Sequence, residues 1–197
     1  MQKVLGERKE GLLFVVSAPA GTGKTTLVDR LELEFSSVVR SISYTTREPR
    51  EGEVDGKDYH FIKNEEFEKM VEKGLFLEYV TLYDHCYGTS RRWVADQQKK
   101  GNHVILVIDT QGALRLKGVV PAVFVFVSPP SLEELSRRLE KRKTESDEAR
   151  ERRLAWAKVE LEAARYYDYL IVNDDLDVAY EVLRSIVIAE GHKINER

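Results

Sequence analysis

Four short apolar runs along the chain each have the length of a buried β-strand. They are nearly continuous rather than alternating, which is typical of parallel strands covered on both faces by helices. The runs are residues 12–17, 103–108, 122–127 and 169–172. Apolar residues at helical spacing follow the first and the last of these runs, at 24–35 and 176–189. This alternation predicts an α/β fold with a parallel sheet core flanked by helices.

The segment between the first two core strands is far longer than a crossover helix. About 85 residues separate these strands, whereas a crossover connection needs about a dozen. Residues 41–93 are therefore predicted to form an inserted mixed α+β subdomain. Its predicted elements are strands at 41–46, 59–62 and 75–82, a loop at 47–53, and a helix at 64–73 capped by Asn64 and stopped by Gly74. A later helix is predicted to start with a capping box formed by Ser131 and Glu134.

Composition restricts the class of protein and its partners. The 197 residues carry 31 basic and 34 acidic side chains, so a net charge of -3 provides no overall basic field for nucleic acid. Cys86 is the only cysteine, which excludes an internal disulfide and is typical of a reducing cytoplasm. No apolar run approaches the roughly 20 residues of a membrane span. We expect a cytoplasmic protein without membrane or nucleic-acid partners; protein partners stay open.

A glycine-bearing loop follows the first core strand. Residues 18–26 are Ala-Pro-Ala-Gly-Thr-Gly-Lys-Thr-Thr, and a helical pattern starts at Lys24. Backbone N–H groups of such a loop, with the positive end of the following helix, can surround a polyphosphate. Lys24 can reach the outer phosphate oxygens, and the Thr25 hydroxyl can meet a magnesium ion. Ala18 replaces the usual first glycine, which matters only if this residue needs a positive φ.

Asp109 ends the second core strand and places a carboxylate near the same loop. A carboxylate at this position can reach the magnesium shell directly or through water. It can also cap the helix that starts at Thr110, and the two roles are compatible.

The insertion contains a loop rich in arginine and hydroxyl groups. Arg47 and Arg50 can converge on a phosphate monoester, because a planar guanidinium group donates two hydrogen bonds to two phosphate oxygens. The alternative is a solvated loop in which the arginines pair with neighbouring glutamates, namely Glu48, Glu51 and Glu53.

Glu78 lies among apolar residues in the predicted strand 75–82. A partly buried carboxylate suits guanine, whose pairing edge presents two adjacent N–H donors that adenine lacks. Such a site rejects the wrong base because its own polar group is then left unpaired.

Taken in order, these motifs resemble the guanylate kinase family, nucleoside monophosphate kinases of the P-loop class. The blocks that carry the resemblance are 43–50, 52–53, 56–59, 76–78, 87–89, 108–112, 128–131 and 172–175. The resemblance extends from about residue 12 to residue 189. It implies phosphorylation of GMP, and of dGMP, with ATP as co-substrate and Mg²⁺ as cofactor.

The resemblance implies two sets of binding residues. The ATP site comprises Ala18, Pro19, Ala20, Gly21, Thr22, Gly23, Lys24, Thr25, Thr26, Arg138, Arg142 and Asn173. The GMP site comprises Ser43, Arg47, Arg50, Tyr59, Glu78, Tyr87, Gly88, Thr89 and Asp109. The implied catalytic residues are Lys24, Arg47, Arg50, Arg142 and Arg153, and the implied metal ligands are Thr25 and Asp109.

The expected organisation is a single guanylate-kinase-like domain with three parts. The core comprises residues 1–40, 94–130 and 165–197, the GMP-binding insertion residues 41–93, and a helical lid residues 131–164. Two other functions stay open: a non-catalytic protein-interaction module with this fold, and a kinase for another small phosphate acceptor.

Overall fold

The computed structural model describes residues 2–6, 8–82, 84–141 and 147–194. Its strands are β1 (Leu13–Ser17), β2 (Val38–Arg40), β3 (Tyr44–Thr45), β4 (His60–Phe61), β5 (Phe76–Leu82), β6 (His85–Ser90), β7 (His103–Val107), β8 (Val123–Ser128) and β9 (Tyr169–Val172). Its α-helices are α1 (Lys24–Glu34), α2 (Asn64–Glu72), α3 (Arg91–Lys99), α4 (Thr110–Leu116), α5 (Leu132–Lys141), α6 (Asp147–Ala163) and α7 (Leu176–His192). Short 3-10 helices occupy Gln2–Leu5 and Ala164–Tyr166.

The core is a parallel sheet in the order β2-β7-β1-β8-β9. The central strand β1 is buried along its whole length. Its side chains alternate between two hydrophobic clusters, because successive residues of a strand point to opposite faces. Phe14 and Val16 pack with Leu31 of α1 and Leu183 of α7. Val15 packs on the other face, in a cluster with residues of α3 and α4. The predicted α/β sheet core is thereby confirmed.

The core sheet has one strand that the apolar pattern did not reveal. β2 pairs only with β7, at the edge of the sheet, with Val38 opposite His103 and Arg40 opposite Ile105. A strand of three residues is too short to show a hydrophobic period, so only its pairing with β7 identifies it.

A second, four-stranded sheet in the order β4-β3-β6-β5 lies between β2 and α3 in the chain. β3 pairs parallel with β4 and antiparallel with β6, and β5 pairs antiparallel with β6. The predicted strand at 41–46 is reduced to β3, and β6 was not predicted. A register shift between Phe76 and Glu78 places Glu78 opposite Thr89. Both residues are buried in this arrangement.

Two predicted helix caps have different outcomes. The Asn64 cap is wrong, because Asn64 is the first residue of α2 and Lys63 is the N-cap, without a side-chain hydrogen bond. Residues up to Lys63 stay extended, since the Ile62 amide still pairs with the second sheet at the Thr45 carbonyl. At α5, Ser131 Oγ accepts from the Glu134 amide as predicted, at 3.1 Å. The Glu134 carboxylate accepts from Arg138 of the same helix.

Within the described ranges, none of the helices combines the length and apolarity that crossing a membrane requires.

The packing of α1 on the sheet predicts unequal effects for two leucines of this helix. Leu31 is fully buried, whereas Leu33 is 88% exposed. We expect Leu31→Ala to lower the free energy of unfolding by about 2–5 kcal/mol, because it removes buried apolar area and leaves a cavity. Leu33→Ala is the matched control and should change it by less than about 0.5 kcal/mol. Urea unfolding of the unliganded protein measures both; equal losses would contradict this account of the core.

Candidate active site

The loop between β1 and α1 has the conformation that its glycines allow. Gly21 and Gly23 adopt positive φ values of 92° and 89°, where side chains with a Cβ are disfavoured. Gly23 is the N-cap of α1 and provides no side-chain hydrogen bond. The first N–H groups of α1 therefore keep their capacity for an external acceptor. Ala18 has no positive φ, so alanine is compatible with this position.

Lys24 spans this loop from the helix back to the strand. Its Nζ donates to the Ala18 carbonyl oxygen at 2.8 Å. Residues 20–26 line a cleft with a volume of about 350 Å³. The positive end of α1, a lysine and three threonines, Thr22, Thr25 and Thr26, thus border the cleft.

Asn173 and Arg138 stand behind the loop rather than in the cleft. Asn173 is buried, and its Nδ2 donates to the Thr22 carbonyl oxygen at 2.6 Å. Arg138 Nη1 in turn donates to the Asn173 carbonyl oxygen at 2.9 Å. These contacts brace the loop from the end of β9 and from α5. The predicted contacts of both residues with ATP stay predictions.

Asp109 joins the core sheet to the cleft. Its Oδ1 accepts from the Gly112 amide at 2.7 Å, which caps α4, whereas its buried Oδ2 has no hydrogen-bond partner among the described residues. Burial raises the pKa of this carboxyl, although the Gly112 amide and the Lys24 charge oppose the shift. Both roles considered for Asp109 are therefore compatible with its geometry, because one oxygen caps the helix and the other is available.

The second sheet contributes the opposite wall of the cleft. Its lining residues are Ser43, Arg47, Arg50, Glu53, Tyr59, Glu78, Val80, Leu82 and Tyr87. Arg47 donates from Nη2 to both carboxylate oxygens of Glu53, at 2.8 and 2.9 Å. Its guanidinium carbon lies 5.4 Å from the centre of the Tyr59 ring. Burial raises the pKa of the Tyr59 hydroxyl. The wall thus combines positive charge with neutral hydroxyl donors.

Glu78 is a buried carboxylate at the inner end of this wall. Only 6% of the residue is exposed, and Thr89 Oγ1 donates to its Oε1 at 2.6 Å. Burial raises the pKa of Glu78 to about 7, and the Thr89 hydrogen bond opposes the shift. Gly88 leaves room for the Phe76 ring, because a Cβ there would lie 2.8 Å from it. Gly88 and Thr89 are outside the cleft lining and support Glu78 and its strand.

Helix α6 contributes one charged residue to the cleft lining and a second, buried one elsewhere on the helix. Arg153 lines the cleft, whereas Arg142 lies outside the described residues. Glu160, which the sequence reasoning missed, is buried, with 5% of the residue exposed. Burial raises the pKa of Glu160 to about 7. The positive charge of Lys24 opposes this shift, and the negative charge of Asp109 adds to it. A signal was present in the sequence: Arg153, Ala157 and Glu160 have the spacing of one helical face.

Comparison with known proteins places this cleft in a family. The family model described as guanylate kinase matches residues 10–190. The chain belongs to the guanylate kinase family. A guanylate kinase of Protochlamydia amoebophila (strain UWE25) is 62% identical over 98% of both chains, and one of Chlamydia pneumoniae is 52% identical over 92% of this chain and 89% of the relative. The crystal structure of guanylate kinase from Anaplasma phagocytophilum is 33% identical, with a TM-score of 0.79, over 95% of this chain and 89% of that one.

The structure brings most residues of the two sites implied for guanylate kinases into one cleft. Lining residues from both sets are Ala20, Gly21, Thr22, Gly23, Lys24, Thr25, Thr26, Ser43, Arg47, Arg50, Tyr59, Glu78, Tyr87 and Asp109, together with Arg153. Ala18, Pro19, Gly88, Thr89, Arg138 and Asn173 do not line it. Glu53, Val107 and Ile108 line it without having been assigned a ligand contact.

The raised pKa of Glu78 links the stability of this guanylate kinase family member to pH. The folded protein holds the Glu78 proton up to about pH 7, whereas the unfolded chain releases it near the ordinary value of 4.5. The stability from this group is therefore present below pH 4.5 and lost as the pH rises through about 7. Glu78→Gln resembles the protonated form and should remove this dependence. Between about pH 5 and 7.5, we expect the wild-type protein to lose on the order of 2 kcal/mol more unfolding free energy than the variant. Urea unfolding across this range measures both, and parallel pH profiles would contradict the shift.

Proposed function

We propose that this protein transfers the terminal phosphoryl group of ATP to GMP, and also to dGMP, giving ADP and the nucleoside diphosphate. The observation that carries the proposal is the shared cleft, in which the phosphate loop faces the arginines and Glu78 of the second sheet. Two phosphate-binding walls across one cleft are what a transfer between two nucleotides requires.

The donor nucleotide is assigned to the wall formed by the phosphate loop. Within the loop 18–26, the backbone N–H groups of residues 20–26 surround the ATP phosphates, and Lys24 neutralises their charge. Arg138, Arg142 and Asn173 complete the proposed ATP site. The bracing of Thr22 by Asn173 supports a role in holding the loop.

The acceptor is assigned to the opposite wall. Glu78 accepts hydrogen bonds from the guanine edge, with Ser43, Gly88, Thr89 and Asp109 completing the base site. Arg47, Arg50, Tyr59 and Tyr87 hold the GMP phosphate. The burial of Glu78 supports this assignment, because a desolvated carboxylate penalises a base that cannot satisfy it.

Mg²⁺ fits the residues present. Thr25 and Asp109 both line the cleft, and the buried Asp109 Oδ2 has no hydrogen-bond partner in the part of the chain that the structure describes. We assign the ion to these two side chains, directly or through water, where it would neutralise phosphate charge. Within the described ranges no cluster of three or more His, Cys, Asp or Glu residues forms a separate metal cage.

The main chemical problem is repulsion between two anionic ligands rather than proton transfer. The second pKa of a phosphate monoester is about 6, so the attacking oxygen of GMP is largely ionised at pH 7 and needs no strong base. Lys24 neutralises charge on the donor side, Arg47 and Arg50 on the acceptor side, and Arg142 and Arg153 between the two. Closure of the insertion (41–93) and the lid (131–164) over the core (1–40, 94–130 and 165–197) would exclude water. The proposed location is the cytoplasm.

Charge removal in either wall should abolish most of the activity. We expect Lys24→Ala and Arg50→Ala to lower kcat/KM for GMP phosphorylation by about a hundredfold or more, because each removes charge that faces a phosphate. Arg92→Ala is the control, since this side chain is 91% exposed on α3. A coupled assay of ADP formation measures all three. Near-normal turnover in either cleft variant would refute its assigned role, and no turnover by the wild-type protein would favour the non-catalytic module.

Base selection should depend on Glu78. The wild-type protein should prefer GMP and dGMP over AMP, CMP and UMP in the same assay. Glu78→Gln should raise KM for GMP by about tenfold or more while KM for ATP stays within about twofold, because the amide offers one acceptor where guanine needs a carboxylate. Equal wild-type activity with all the monophosphates would instead support a kinase for another acceptor.

A further inference from the structure

Glu53 is an acidic residue in a wall of the cleft assigned to binding an anion. Its carboxylate contacts the Arg47 side chain and the Arg50 backbone amide, and 19% of its side chain is exposed. A carboxylate here would repel a phosphate, so its presence at this position requires a reason.

The Glu53 carboxylate connects two parts of the arginine loop. Both of its oxygens accept from Arg47 Nη2, and Oε2 also accepts from the Arg50 backbone amide at 2.8 Å. The Glu53 amide donates to the Arg50 carbonyl oxygen at 3.1 Å, which closes a turn through Gly52 at φ 85°. The carboxylate is therefore fixed from the side of Arg50 as well as by Arg47.

The Arg47 guanidinium group has contacts on several sides, and Glu53 is one of its partners. Its Nη1 donates to the Glu48 carbonyl oxygen at 2.8 Å, and its guanidinium group lies against the rings of Tyr59 and Phe61. Only 11% of the Arg47 side chain is exposed. A guanidinium group buried to this extent needs a hydrogen-bonded counter-charge before any ligand arrives. Glu53 supplies that charge, and the hydrogen bond from Arg47 holds the pKa of Glu53 below its usual value.

We propose that Glu53 is a positioning residue for the acceptor phosphate: it orients Arg47 and the Arg50 turn before GMP binds and stays in place when GMP is bound. This inference rests on the proposed function of the cleft. The alternative role is a place-holder that occupies the phosphate position and competes with GMP. The second anchor at the Arg50 amide favours positioning, because a place-holder has to leave when the phosphate enters, and leaving would also break the hydrogen bond from the Arg50 amide.

The test compares Glu53→Gln with Glu51→Gln. The second variant is a matched control, because it removes the same charge from an exposed position of the same loop. If Glu53 positions Arg47, Glu53→Gln should raise KM for GMP, and the GMP dissociation constant measured by calorimetry, by roughly tenfold or more. KM for ATP should change less than about twofold. The fold-change in kcat should be smaller than the fold-change in KM for GMP. Glu51→Gln should stay within about twofold of wild type throughout.

A third variant, Glu53→Asp, separates geometry from charge. It keeps the negative charge but shortens the side chain by one methylene, so it cannot contact both Arg47 and the Arg50 amide. If Glu53 positions Arg47, GMP binding should be weakened in this variant as well. Glu53→Asp also tests the proposal if Glu53→Gln does not fold. Unchanged or tighter GMP binding in a folded Glu53→Gln or Glu53→Asp variant would overturn the proposal and favour a place-holder. If the wild-type protein turns over GMP, the proposed function stands, and such a result refutes only the role of Glu53. If it does not turn over GMP, calorimetry with GMP still tests the role of Glu53 in binding.

Discussion

Repulsion between two phosphorylated ligands is the constraint that the proposed transfer imposes on this cleft. Bringing a triphosphate and a monophosphate within reaction distance concentrates negative charge in a region that excludes water, where electrostatic interactions are strong. The chain as a whole cannot supply the compensation, since its net charge is -3. Positive groups are instead concentrated locally: the start of α1 and Lys24 on one wall, and Arg47 and Arg50 on the other.

The acidic residues around the cleft differ in how their charge is stabilised. Glu53 has a guanidinium partner, so its pKa is lowered and it stays ionised. Glu78 and Glu160 are more deeply buried, and burial raises the pKa of each to about 7. Under the proposed function, the paired carboxylate of Glu53 orients an arginine. The desolvated carboxylate of Glu78 recognises a base, because only a ligand with matching donors compensates for the lost solvation.

Much of the fold and part of the site were predictable from local sequence. The strands β1, β7 and β8 were identified by uninterrupted apolar runs, and the phosphate loop by the spacing of its glycines and Lys24. Other strands were predicted less well: β2 and β6 were missed, and β3 is shorter than expected. β2 and β3 have only two or three residues, which leaves no period to detect. β6 has six residues but no apolar run, and its pairing with β3 and β5 defines it.

The sequence by itself determined the elements whose conformation is local: the core strands and the positive φ values at Gly21 and Gly23. It also determined the residue types that could meet two phosphates. Only the tertiary structure decided which of them share a cleft, that Asn173 braces Thr22 from 151 residues away, and that Glu160 is buried beside Asp109. It also decided that Arg47 pairs with Glu53 among the three glutamates nearby. The physical reason is that hydrogen bonds and desolvation depend on distances between side chains, which strand register and helix packing fix after the local elements have formed.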